Sequence, residues 1–153
     1  LRCYSVFMQK FLRIALQYAN DHDYGDLEYN LCAVLVRGGS VISVGYNKRT
    51  TNAFVEHYTD LARGQRDWCL STHAEMDAVL QARQKTDLSG SKIFVVRKRI
   101  DQTLGVMAMA KPCEICQHVL YNYGIRRACY SIDDQNFGVM KIENPANKYK
   151  QKK

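Results

Sequence analysis

Between residues 5 and 20, SVFMQKFLRIALQYAN, apolar side chains fall at positions 7, 8, 11, 12, 15, 16 and 19. Spacings of three and four place them on one stripe of a helix, with polar residues around the rest of its surface. The pattern then changes. Residues 31–37, LCAVLVR, and 41–46, VISVGY, are short apolar runs joined by Gly38-Gly39-Ser40, which predicts a β-hairpin. Helical spacing returns over 72–85, where Met76, Val79, Leu80 and Arg83 share a face. Strands are predicted over 92–98, KIFVVRK, and 126–131, RRACYS, with 137–142, FGVMKI, as a candidate fifth. A third helix starts at Pro112, because proline's missing N–H has no partner to lose in a first helical turn, and Gly124 ends it. The order α-β-β-α-β-α-β-β predicts an α/β domain with one sheet covered by helices.

Three connections refine this picture. Residues 47–71 and 99–111 are long, and a connection of that length is a functional loop or holds a short helix. The first carries Phe54, His57, Tyr58 and Trp68, which read as local packing. Only Ile132–Asn136 separates the last two strands, too few residues for a parallel crossover. A strand at 137–142 that pairs with its predecessor must therefore be antiparallel to it.

Composition sets limits. The chain has 153 residues, 46% hydrophobic and 24% charged, which suits one folded domain over residues 1–143. Residues 144–153 form a basic C-terminal tail with Lys148, Lys150, Lys152 and Lys153. No apolar stretch is long enough to span a membrane and no signal peptide is visible. A net charge of +7 favours an anionic partner. Arg97-Lys98-Arg99 and Arg126-Arg127 read as solvated strand ends. Of six cysteines, Cys32 and Cys129 lie in apolar strands, while Cys113 and Cys116 form a C-x-x-C. Cys3 and Cys69 carry no assigned role, and Cys69 reads as packed. Reduced thiols with a metal-binding pair fit a cytoplasmic protein better than a disulfide framework.

Two stretches carry chemistry. In "KPCEIC", Cys113 and Cys116 stand three apart at the head of a helix, on one face. Two thiolates there can grip one soft ion, and the helix N-terminus favours their charge. In "STHAEMDAV", His73 offers a third ligand to a zinc ion and leaves a fourth position open for water. Glu75, two residues on, leaves its helix at another angle and serves as a proton carrier instead. Water on zinc has a pKa near ~7 rather than ~16, so hydroxide is available at neutral pH.

The combination of H-A-E, an intervening strand and P-C-x-x-C resembles the zinc-dependent cytidine/deoxycytidylate deaminase superfamily. "VISVGYN", "HAEMDAV" and "KPCEICQHVLYNYGI" stand in that family's order, over roughly residues 5–131. "THAEMDA" is most similar to the deoxycytidylate deaminase branch. The resemblance implies a three-layer cytidine-deaminase-like sandwich with a mixed sheet of about five strands. It implies Zn2+ held by His73, Cys113 and Cys116, with Glu75 as catalytic proton shuttle. It further implies substrate contacts from Asn47 to the sugar and from the Ala74 backbone to the base edge. The reaction it implies is cytosine to uracil with release of ammonia, on a free pyrimidine nucleotide or nucleoside such as dCMP, in a homo-oligomer. "KRTTNAFVEHY" departs from the Gly/Pro-rich segment usual after G-Y-N. If residues 47–71 fold over the metal, Lys48, Arg49, His57 or Arg66 could hold a 5′-phosphate. If they lie aside, the same residues would line a groove for single-stranded nucleic acid. Alternatives therefore stay open: an enzyme editing cytosine or adenine in DNA or RNA, a purine deaminase of the superfamily, or an inactive zinc-binding relative.

Overall fold

The computed structural model describes residues 2–61, 71–101, 103 and 105–147, with backbone alone at 2–4. Arg66, Trp68, Cys69, the Cys3 side chain and the four tail lysines lie outside the described residues. Four helices and six strands follow one another: α1 (Arg2–Asp21), β1 (Asn30–Arg37), β2 (Ser40–Tyr46), α2 (Ala53–Leu61), α3 (Ala74–Ala82), β3 (Lys92–Lys98), β4 (Met107–Ala108), α4 (Glu114–Asn122), β5 (Arg127–Ser131) and β6 (Phe137–Lys141). The predicted elements are all present. Two were not predicted as such: α2 is the short helix inside the first long connection, and β4 is a two-residue strand inside the second. Among the described residues no helix is long and apolar enough to cross a membrane.

The strands form one mixed sheet in the order β2-β1-β3-β5-β6, with β4 added to β3. Among the described residues only β3 and β5 pair in parallel. The others are antiparallel, including β5 with β6, as the five-residue connection requires. Gly38 and Gly39 have φ of 59° and 77° and close the β1–β2 hairpin, a backbone that suits the twist of the flanking strands.

Strand alternation sorts the core into two layers. Cys32, Val34, Val36, Phe94, Val96 and Cys129 meet α1, whose Met8, Phe11, Leu12, Ala15 and Ala19 are buried along the predicted stripe. Ala33, Leu35, Ile93, Val95 and Ala128 point the other way, beneath α3 and α4. Cys32 and Cys129 are free thiols, and burial pushes both up to about 12, so they are packing groups on the face away from the site.

One end of α4 differs in detail from expectation and the other meets it. Pro112 stands one residue ahead of the α4 N-cap, Cys113, and so fixes the entry of the chain instead of opening the helix. At the other end Gly124 has φ +77°. Its N–H donates to the Tyr121 carbonyl at 3.1 Å and that of Ile125 to Leu120 at 3.0 Å, the paired closure that a left-handed glycine permits.

The helix α3 lies directly on β2. A β-carbon at Gly45 would collide with the Ala74 carbonyl and the Ala78 amide and would sit 2.8 Å from the Ala78 Cα. Ser43, two residues earlier on the same face, donates its hydroxyl to the Ala78 carbonyl at 2.7 Å. Gly45→Ala is expected to lower stability by about 1–3 kcal/mol, the cost of overpacking a closed contact. The measurement is the midpoint of thermal or urea unfolding; a midpoint equal to that of the parent chain would show that α3 can lift away freely.

Candidate metal centre and its cavity

The helices α3 and α4 begin next to each other, and each begins unusually. Their N-cap residues, His73 and Cys113, have extended backbones with ψ of 157° and 168°. Neither side chain caps its own helix, although that is the usual use of an N-cap side chain. They turn toward each other instead. His73 Nδ1 lies 3.5 Å from Cys113 Sγ and 3.4 Å from Cys116 Sγ. The ligand atoms of His73, Cys113 and Cys116 all lie within 4.8 Å of one another.

These distances pass a geometric test for zinc. Bonds of about 2.0–2.3 Å arranged tetrahedrally separate a nitrogen and a sulfur ligand by about 3.5 Å. The observed separations match that edge. The donor set, one imidazole and two thiols, is also the one zinc prefers. Protonation is already biased toward binding. The Cys113 thiol is pushed down to about 4, first by the hydrogen bond from Cys116 and then by His73. Burial pushes Cys116 up, so it keeps the shared proton. A divalent cation between the sulfurs would replace that proton.

Glu75 stands beside the cluster and is 3% exposed. Its carboxyl is raised, first by burial and then by the negative charge of Cys113, against lowering by His73 and by the Cys116 thiol that donates to it. A buried carboxyl of this kind holds its proton more readily than one in water.

A second carboxylate organises the approach to the site. Asp77 is 4% exposed, and a buried charge needs partners. It accepts the Tyr46 N–H at 2.9 Å and the Lys48 ammonium at 3.0 Å, gripping the residues on either side of Asn47. Asn47 in turn accepts the Leu31 N–H at 2.8 Å and donates to the Tyr29 carbonyl at 2.7 Å. Each amide atom thus makes a backbone bond to the start of β1 and retains one further donor or acceptor. Thr72 completes the lacing: it exchanges backbone hydrogen bonds with Lys48 at 2.9 and 3.1 Å, next to His73. Asp77 was not singled out in the sequence. Its signal is a second acidic residue flanked by Met76 and Ala78 on the apolar stretch of the helix.

The cluster floors a cavity of about 400 Å3. His73, Ala74, Glu75 and Cys113 lie at its base; Tyr29, Leu31, Asn47 and Arg97 form one wall, and Met109, Ala110 and Lys111 another. The structure therefore brings all six residues marked in the sequence together: five line the cavity, and Cys116 joins the cluster from beneath, fully buried.

The basic residues proposed for a phosphate are placed differently. Lys48 is paired with Asp77 and Arg49 with Asp26 at 3.3 Å. His57 packs edge-on against Tyr58. None of the three lines the cavity. Phe54 and Tyr58 face Tyr123 and His118 of the α4 region, so α2 lies against α4 and these rings make long-range contacts where packing within the connection was expected. Arg97, read as a solvated strand end, is instead part of the cavity wall.

Comparison with known proteins agrees with this geometry. A cytidine deaminase from Burkholderia pseudomallei is 20% identical, covers 87% of this chain and 91% of its own, and superposes with a TM-score of 0.58. A dCMP deaminase from the cyanophage S-TIM5, solved with dCMP and dUMP, is 19% identical over 80% of this chain and 78% of its own, with a TM-score of 0.52. At these identities the likeness establishes a shared cytidine-deaminase-like fold. No curated protein sequence matches the chain. Residues 6–132 do match the family model for the cytidine and deoxycytidylate deaminase zinc-binding region, and the chain belongs to that family.

Proposed function

We propose that the protein is a zinc-dependent hydrolase that converts the cytosine of a free pyrimidine nucleotide or nucleoside to uracil. The observation that carries this reading is the buried carboxyl of Glu75 beside the clustered His73, Cys113 and Cys116 at the base of a cavity. His73, Cys113 and Cys116 would hold the ion. When bound, zinc supplies a Lewis acid that makes water a nucleophile at neutral pH.

The chain's own residues do the rest. Glu75 removes a proton from the attacking water and delivers it to N3 of the ring as water adds at C4. Glu75 then carries a second proton to the departing amine, so that ammonia leaves and uracil remains. Its burial suits this traffic, since the proton is held in a site shielded from bulk water. Ala74 lies at the first turn of α3, where backbone N–H groups have no intrahelical acceptor, and we assign them to the base edge. The free donor and acceptor of Asn47 are assigned to the sugar.

Two measurements test the assignment of roles. Purified protein is expected to contain one zinc per chain by metal analysis. Cys113→Ser and Cys116→Ser are expected to lose most of it and to unfold at lower temperature, because metal binding contributes to folding free energy. Full zinc content in both variants would remove these residues as ligands. Glu75→Ala is expected to retain zinc and fold while ammonia release from cytosine compounds falls by at least ~10²–10⁴, the usual worth of a positioned acid–base group. Loss of zinc from Glu75→Ala would make Glu75 a ligand, and unchanged turnover would end the proposal.

A further inference from the structure

The cavity holds a charged group that the metal chemistry leaves unused. Along β3, Ile93, Val95 and Arg97 share the face that carries α3 and α4, by strand alternation. Beyond the helices, where the apolar row stops, this position is an arginine opening on the cavity. Its backbone is fixed: the Arg97 N–H donates to the buried Ser131 hydroxyl at 3.2 Å. Its guanidinium lies 4.4 Å from the centroid of the Tyr29 ring. Tyr29 is 48% exposed at the cavity mouth, and Met109 opposite is 50% exposed. The ion pairs among the described residues are Lys48–Asp77 and Arg49–Asp26, so no carboxylate there neutralises Arg97. Lys111 reaches the same cavity from the segment before α4.

We propose that Arg97, seated on Tyr29, anchors the phosphate of a cytosine mononucleotide, with Lys111 as the second cation, and that this pair sets preference for nucleotide over nucleoside. The placement of the base rests on the deaminase reading; the anion site rests on the arginine's own surroundings. A planar guanidinium matches a phosphate with parallel donors, and stacking on an aromatic ring holds that plane in place. One phosphate suits the site better than a polymer. A strand of nucleic acid needs a continuing row of cations, whereas Lys48 is held by the buried Asp77 and neither Lys48 nor Arg49 lines the cavity.

The test is calorimetric binding of deoxycytidine and deoxycytidine 5′-monophosphate to the zinc-loaded full chain carrying Glu75→Ala, which prevents turnover. The monophosphate is expected to bind tighter by about tenfold or more, as a charge-assisted hydrogen-bonded pair predicts. Adding Arg97→Gln is expected to bring the two affinities within about threefold, with Arg97→Lys between, and the nucleoside affinity nearly constant. Lys111→Gln, at an exposed residue, is expected to weaken the monophosphate selectively and serves if Arg97→Gln does not fold. Equal weakening of both ligands, or an unchanged ratio, would overturn the anchor. Tighter binding of a cytosine oligonucleotide, with a steep salt dependence, would overturn the single-phosphate occupant. Failure of the deaminase reading shows separately, as absent ammonia release by the parent chain while the phosphate-dependent difference in affinity persists; that result supports the anchor alone.

Discussion

How near α3 can come to β2 decides where everything else in the site stands. The helix rests on strand backbone at Gly45, with no side chain between them. That contact puts the start of α3 level with the end of β2, and so sets His73 and Glu75 beside Asn47. Asp77 then locks the arrangement from within the helix by holding Tyr46 and Lys48. A larger residue at position 45 would shift a whole helix, and with it His73 and Glu75 together.

The two helix N-termini impose a second constraint. Four backbone N–H groups at each are without intrahelical acceptors, and their dipoles favour negative charge. Ser, Thr or Asp would ordinarily answer them. Here His73 and Cys113 occupy the caps and spend their side chains on each other. The helices lose local capping, and a thiolate gains a favourable field. The energetic cost is local and the return is a cluster in which the Cys113 thiol ionises easily, chiefly through the hydrogen bond from Cys116, while burial keeps the proton on Cys116.

Much of this was legible in the amino-acid sequence because it is periodic or closely spaced. The α1 stripe, the glycine hairpin, the alternating strands and the two short motifs all depend on near neighbours. The antiparallel return of β6 followed from chain length alone. What escaped depends on long-range placement. The segment 47–71 has no regular period, so α2 and the partners of Lys48, Arg49 and His57 could not be located. A phosphate role suggested itself for those residues because charge is visible in a sequence, while neutralisation by Asp77 and Asp26 is not. Arg97 is the converse case. Its parity with Ile93 and Val95 is plain in KIFVVRK, but whether a helix still covers the face at that height is a three-dimensional fact. Asp77 was hidden by its adjacency to a recognised motif.

The upper wall of the cavity hangs from a different part of the molecule than its base. Asp134, in the tight turn between β5 and β6, accepts the N–H groups of Val106 and Met107 at 2.8 and 2.6 Å. Ser131 takes the Ala110 N–H and gives its hydroxyl to the Ala108 carbonyl. Met109 and Lys111 are thus suspended from the far edge of the sheet, while the metal cluster is built from α3 and α4. Changes in that turn can reshape the mouth without touching His73, Glu75 or the two cysteines. Such a division lets selection alter which molecules enter while the reaction itself stays constant, and it gives an engineer two dials that turn independently.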